Sequence, residues 1–456
     1  MTGESTTENG TRTLAEFIVG TRLADLPVDL LPHVRRSILD CLGVAIGAAR
    51  EEPVDVVLRL VDTLGGNPQA TIWATDRRTS VTHAALANGY MAHVLDFDDS
   101  YVPEVTVLHG NAPILPAAVA VGEWRDASGA DLALAFALGF EVAARIALAA
   151  GSSMFGRYHV TGLVGGFGAT AAVGKLLGLK SQQLTYALGI ANAQAGATGQ
   201  YLGTMTKPLH AGRGAMSGVY AGLLAQEDFT SAEDALAGPS GFHDAFPSDR
   251  NFEAMLGELG KRWELRRAAF KPYACGVVQH ALLDGVLALR EEHSFSALDV
   301  EAVEGRVNPH VLRATGKTDP QTDLESKFSA YHSVAMLLIQ GAAGPEQYAA
   351  NYAQDAEVRA LRSRVHLTAD EQMRSDEAHI RIVLRDGRAL EKHVPHASGT
   401  AANPMSDQQL QRKFHLLVDP ILGQERATSI VETVDKIEKL SSVRTLTALL
   451  EGSPRS

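Results

Sequence analysis

From Thr13 to about Leu265 the chain keeps one texture: apolar residues recur at three- and four-residue spacing, and they are crowded with alanine and glycine. "TLAEFIVGTRL" and "DLLPHVRRSILDCLGVAIGAA" open the run. "APILPAAVAVGEWR", "ADLALAFALGFEVAARIALAA", "GGFGATAAVGKLLGL", "SQQLTYALGIANAQA" and "GRGAMSGVYAGLLAQ" continue it. A surface helix keeps one polar face. These segments have almost none, so they must be covered by neighbours on most sides. Alternation with period two is nearly absent. The expectation is a large all-helical domain, and 456 residues exceed one ordinary core, so a second domain is expected beside it.

The texture changes near Trp263. "WELRRAAFKPYA" reads as extended, and "GVVQHALLDGVLALREEH" reads as a helix. "VEAVEGRVNP" alternates like a strand, and "HIRIVLRDGRALEKHV" reads as a hairpin turning at Asp386–Gly387. Residues 266–397 therefore read as a smaller α/β domain with strands far apart in sequence. Residues 398–456 return to helix, with Ser406 and Gln409 forming a capping box, and are expected to pack back on residues 1–265. The fold class is mainly α.

Net charge is −12, which argues against nucleic acid or an anionic membrane as partner. No uninterrupted apolar run approaches membrane-spanning length, so no membrane span is expected. Cys41 and Cys275 are too few for a disulfide framework or a thiolate metal site, and a cytoplasmic setting fits. Residues 1–12 are polar, with no basic start or apolar run, and read as a frayed terminus.

The chemistry-bearing stretch is "HVLDFDDSYVPEVTVLHGN", which sets Asp96, Asp98, Asp99, Ser100 and His109 at the end of the apolar segment "SVTHAALANGYMAHVLDF", N-capped by Ser80. Carboxylates at a helix C-terminus oppose the helix dipole, so they need a partner. A magnesium-binding aspartate cluster is one reading, but a second acidic motif to complete it is lacking. Cations from elsewhere are the other reading. "GTMTKPLHAGRGAMSG" places Lys207 before Pro208, with His210 and Arg213 at three-residue intervals, a carboxylate-binding pattern at a helix start. "FKPYACGVVQHALLDG" repeats that grammar with Lys271, Pro272 and His280. "FGRYHVTGLVGGFGATAA" puts His159 before a glycine-rich helix entry. It lacks the preceding strand and the later acidic residue of a dinucleotide fingerprint. There is no "GxSxG" elbow, and Cys275 sits in no protease frame.

Together with "DLESKFSAYHSVA" and "NPMS", these stretches, in this order and across nearly the whole chain, resemble the MmgE/PrpD family. The resemblance implies a helical domain completed by the C-terminal helices, an inserted α/β lid domain, a homodimer and catalysis without a cofactor or metal. It implies that Asp96 and Ser100 line the active site with His109 nearby, facing His159, Lys207, Lys271 and His280 across a cleft. His109 and His159 become the candidate acid and base, with Asp96 orienting one of them. Lys207, Lys271, His280, His210, Arg213 and Ser100 become candidate carboxylate binders, and His332 falls where a tyrosine lines the lid side of the cleft. The expected reaction is a cofactor-independent lyase of dehydratase type on a small di- or tricarboxylate such as 2-methylcitrate or a relative. An isomerase or epimerase of a substituted succinate, a decarboxylase of a cis-aconitate-like acid, and a non-catalytic carboxylate-binding protein are the alternatives. Ser100 stands where Thr is frequent in the family, and His109-Gly110-Asn111 where "HPS" is frequent, so the groups reading the substrate differ from those for 2-methylcitrate.

Overall fold

The computed structural model describes residues 9–103, 106–154, 157–246 and 250–452. Of the segment expected to be a frayed terminus, residues 1–8 lie outside the described residues, and Gly10–Arg12 belong instead to the first helix, Gly10–Gly20. The fold is mainly α.

Its centre is the helix Val81–Val94, in which every residue except His83 is buried. Ser80 caps it by accepting the His83 N–H. The helix packs on Leu30–Gly47, Asn111–Arg125 and Thr206–Gln226, and the last of these also meets Val160–Leu176. Small residues permit this density. A Cβ on Gly139 would lie 2.7 Å from the Gly168 carbonyl oxygen, and one on Gly89 would lie 2.9 Å from the Gly212 Cα. The glycines of "GGFGATAA" thus serve helix packing and not a phosphate loop. Gly129–Met154 is long and apolar enough to cross a membrane, but 94% of that stretch is buried inside the protein. It carries a buried ion pair, Arg145 Nε to Glu141 Oε1 at 2.5 Å, so it is a core helix.

The first block is not wholly helical. Ala70–Thr71 pairs with Arg78–Thr79, and Asp99–Ser100 pairs with Ala269–Phe270. "WELRRAAFKPYA" forms a paired strand only at Ala269–Phe270, because Glu264–Arg267 forms a 3-10 turn.

The α/β unit has one four-stranded sheet. Val300–Val307 lies between the parallel strand Val365–Ala369 and the antiparallel strand Ala378–Leu384, which continues into Ala389–Val394. In Ala378–Leu384 alternate residues are buried, so one face is covered, and the helix His280–Glu292 packs there.

The closing helix Asp407–Leu422 starts at the Ser406–Gln409 capping box and lies along Leu30–Gly47. Phe414 and Leu417 fill the space left by Gly43 and Gly47. Lys413, on the same face, donates to Asp40 Oδ1 at 2.6 Å and to the Phe97 carbonyl at 2.6 Å, fully inside the protein.

Removing one partner of such a pair strands a buried charge, at a cost of about 3–5 kcal/mol. Lys413→Met should therefore lower the unfolding free energy in urea by about that amount. Adding Asp40→Asn should recover much of the loss; a double variant no more stable than the single one would show that the ion pair is not what joins the two helices.

Candidate active site

At the end of Val81–Val94 the chain turns sharply. Asp96 has φ 53°, a left-handed conformation that aspartate tolerates better than most residues. Its Oδ1 accepts from Lys207 Nζ at 2.7 Å and from Lys271 Nζ at 2.9 Å, and Lys271 also donates to the Asp96 carbonyl at 3.0 Å. Lys327 Nζ donates to the Val94 carbonyl at 3.1 Å. The lysines supply what the helix dipole requires. Burial alone would raise the Asp96 carboxyl, but Lys207 and Lys271 outweigh it and hold it well below the usual range. Lys207, facing this one carboxylate, is pulled down by burial. Lys271 stays above its ordinary value because Asp96, and Asp98 at 3.7 Å, together outweigh its burial.

Sequence reasoning gave Asp96 the task of orienting a histidine. The structure gives that contact to Asp98, whose Oδ2 lies 2.6 Å from His93 Nδ1. A buried, ionised Asp98 only accepts, so His93 donates from Nδ1. His93 is kept neutral by burial, and its Nε2 therefore accepts. That nitrogen lies 3.4 Å from His159 Nε2, and His159 Nδ1 lies 3.0 Å from His210 Nδ1. A chain Asp98–His93–His159–His210 results, with both ring nitrogens of His159 engaged.

His109 is arranged differently. Its Nδ1 donates to the Asp99 carbonyl at 2.7 Å, with Ser100 Oγ at 3.4 Å, while Thr161 Oγ1 accepts its backbone N–H at 2.9 Å. Asp99 fixes the next helix by accepting the N–H groups of Gly110 and Asn111, each at 3.0 Å. His109 Nε2 has no partner among the described residues, and its ring faces a cavity of about 240 Å³. Burial, helped by Lys271, pushes its pKa down to about 3.

Asp96, His109, His159 and Lys207 line this small cavity, closed opposite by Val277, Val278, Phe328 and the helix Pro309–Thr315. Lys271 reaches Asp96 from the adjoining cavity of about 720 Å³, which Ser100 and His280 also line. His280 opens the helix His280–Glu292. Lys271-Pro272, however, follows a strand and starts no helix. His210 stands behind His159. Two candidates lie elsewhere. Arg213 donates to the carbonyls of Gly162, Gln194 and Gly196, tying the first turn of Val160–Leu176 to the loop at 194–196. His332 is fully buried, with Nε2 3.2 Å from the Gln347 carbonyl, and lines neither cavity. Cys275 is buried with its thiol pushed up to about 12, poorly suited to act as a nucleophile.

Lys327 and Lys413 escaped the sequence reading, and so did the pairing of Asp98 with His93. A signal existed for Lys413: in "QLQRKFHLL" it falls on the apolar face between Leu410, Phe414 and Leu417.

Burial lowers His109 and His280 to about 3, and His210, His310 and His332 to about 4. The folded protein refuses protons that the unfolded chain accepts below about 6.5. Stability from these groups is thus complete above that pH and is lost as pH falls toward 4. Glu141, pushed up to about 7 by burial, has the opposite sign, as do Asp40, Glu51, Asp99 and Asp284, whose carboxyls burial also raises. The five histidines, joined by His93 and His159, which burial lowers likewise, outnumber them. Urea melts should show the unfolding free energy falling steadily from about pH 6.5 to 4, and a flat profile would contradict the neutral histidine cluster.

The MmgE/PrpD N-terminal domain matches residues 12–255, and the MmgE/PrpD C-terminal domain matches residues 273–439. The chain is 29% identical over 461 residues to the cis-aconitate decarboxylase of Mus musculus, covering 97% of this chain and 93% of that protein. It is 28% identical over 460 residues to the cis-aconitate decarboxylase of Homo sapiens, covering 97% and 94%. To the cis-aconitate decarboxylase of Aspergillus terreus it is 24% identical over 464 residues, covering 95% and 94%. With both domains matched over nearly its whole length, the chain belongs to the MmgE/PrpD family.

Proposed function

We propose that the protein is a cofactor-independent lyase of a small di- or tricarboxylate, and that its reaction is decarboxylation of a cis-aconitate-like acid. The observation that carries the reading is His109, which lines a small cavity beside the Asp96–Lys207 pair with its Nδ1 bonded to the Asp99 carbonyl and its Nε2 without a partner among the described residues. The cavity falls below the ~300–1,000 Å³ of drug-sized ligand sites, which suits a compact acid. Relatives named as cis-aconitate decarboxylases favour loss of CO2 over the dehydration expected from sequence.

In such a step the bond to the departing carboxyl breaks and its electron pair forms a new C=C. The original double bond's electrons move to the carbon beside a remaining carboxylate, and that carbon takes one proton. CO2 leaves. His109 is the donor in this reading. An entering polyanion opposes the burial and the Lys271 charge that depress its pKa, so substrate binding itself loads the proton. Lys207 stabilises the enolate-like charge. His159, with both nitrogens engaged, conducts protons between His93 and His210. Dehydration or epimerisation would draw on the same groups, with His109 starting as base.

The family's homodimer is also proposed here. Met205, Leu209, Tyr220 and Leu224 leave an exposed apolar stripe along Thr206–Gln226, a face suited to a second copy. Light scattering should give twice the 48.5 kDa chain mass, and Leu209→Glu should reduce it toward the single chain.

The activity test is proton NMR of EDTA-treated protein in D2O with cis-aconitate, citrate and 2-methylcitrate. The expected result is CO2 release from cis-aconitate with one deuterium entering beside a carboxylate. His109→Gln should slow it by about 10²–10⁴-fold. Water loss from citrate or 2-methylcitrate without CO2 release would favour the dehydratase instead.

A further inference from the structure

The lysines around the small cavity are already committed. Lys207 and Lys271 share Asp96, Lys413 holds Asp40, and Lys327 holds the Val94 carbonyl. A tricarboxylate entering this balanced cluster brings more negative charge than these ammoniums can meet. Arg313 differs. It sits in the last turn of Pro309–Thr315, lines both the 240 Å³ and the 720 Å³ cavities, and is solvent-exposed. Among the described residues it has no carboxylate partner. The other arginines lining the larger cavity are paired, Arg267 with Glu264 at 3.3 Å and Arg374 with Asp376 at 3.3 Å.

We propose that Arg313 is the specificity-determining residue of this site, gripping the substrate carboxylate that lies farthest from Lys207 and favouring tricarboxylates over dicarboxylates. The inference rests on the carboxylate-lyase reading above. A guanidinium offers two parallel N–H donors to one carboxylate, a geometry that an ammonium does not reproduce. Its position in the wall between the cavities lets it meet the acid from either side. Because it comes from the α/β unit while His109 and Lys207 come from the helical block, one substrate molecule would engage both parts of the chain.

The test compares wild type, Arg313→Gln and Arg313→Lys. Thermal shift is measured with cis-aconitate and with citraconate, which lacks the departing carboxylate and so serves as an inhibitor. Steady-state kinetics follow cis-aconitate, and preference is the citraconate inhibition constant divided by the cis-aconitate KM. Arg313 is exposed and has no carboxylate partner among the described residues, so the variants should melt like wild type without ligand. For cis-aconitate, Arg313→Gln should raise KM by about 10- to 100-fold, a larger effect than on kcat, with Arg313→Lys between. Preference over the dicarboxylate should shrink by the same factor. Wild type responding to cis-aconitate while Arg313→Gln matches it in KM and preference would overturn the role of Arg313 alone. Wild type silent toward both acids would overturn the carboxylate-lyase reading, and this inference with it.

Discussion

Four ammonium groups from distant parts of the chain close on a single turn of backbone. Lys207 and Lys271 reach the Asp96 carboxylate, Lys271 also the Asp96 carbonyl, Lys327 the Val94 carbonyl and Lys413 the Phe97 carbonyl. A buried helix that ends in aspartates is electrostatically untenable alone, since its terminal carbonyls and the carboxylates repel one another. Each lysine is likewise untenable without an acceptor. Charges and carbonyls stabilise each other only when all four segments have arrived. The elements that cross between the helical block and the α/β unit arrive there too, because the strand pair Asp99–Ser100 with Ala269–Phe270 delivers Lys271 to Asp96.

This arrangement explains what could be read in advance. The buried helices announced themselves through alanine and glycine, since no polar face was left to expose. The hairpin at Asp386–Gly387 and the cap at Ser406 were legible because turn and cap chemistry is local. Asp96, His109, His159, Lys207 and Lys271, which the structure brings together around the two adjoining cavities, are singled out in the sequence by motif resemblance and by the oddness of carboxylates closing an apolar helix. The histidine partner of Asp98 was not found, because Asp96 and Asp98 differ only in which way the turn directs them. That direction follows from the left-handed conformation at Asp96.

Arg213 and His332 lie apart from that cluster for a related reason. Each lies in a stretch that resembles the family and carries a group fit for binding a carboxylate. Their side chains instead satisfy backbone carbonyls, Arg213 at Gly162, Gln194 and Gly196 and His332 at Gln347. Sequence shows which donors a chain owns. Three-dimensional packing decides whether an internal carbonyl claims them first. His109 illustrates the converse: one nitrogen is claimed by the Asp99 carbonyl, and the other has no partner among the described residues while the residue lines the cavity.

Lys413 donates to a carbonyl 316 residues earlier in the chain. At roughly 5–20 residues per second, a ribosome needs about 15–60 seconds to make the intervening segment. During that interval Asp40 and the Phe97 carbonyl exist without their cation, and the helices around them cannot close over a bare carboxylate. Vectorial folding from the N-terminus is therefore barred at the centre of this molecule. The helical block can collapse early, but its innermost turn must stay wet until almost the last tenth of the protein has been synthesised.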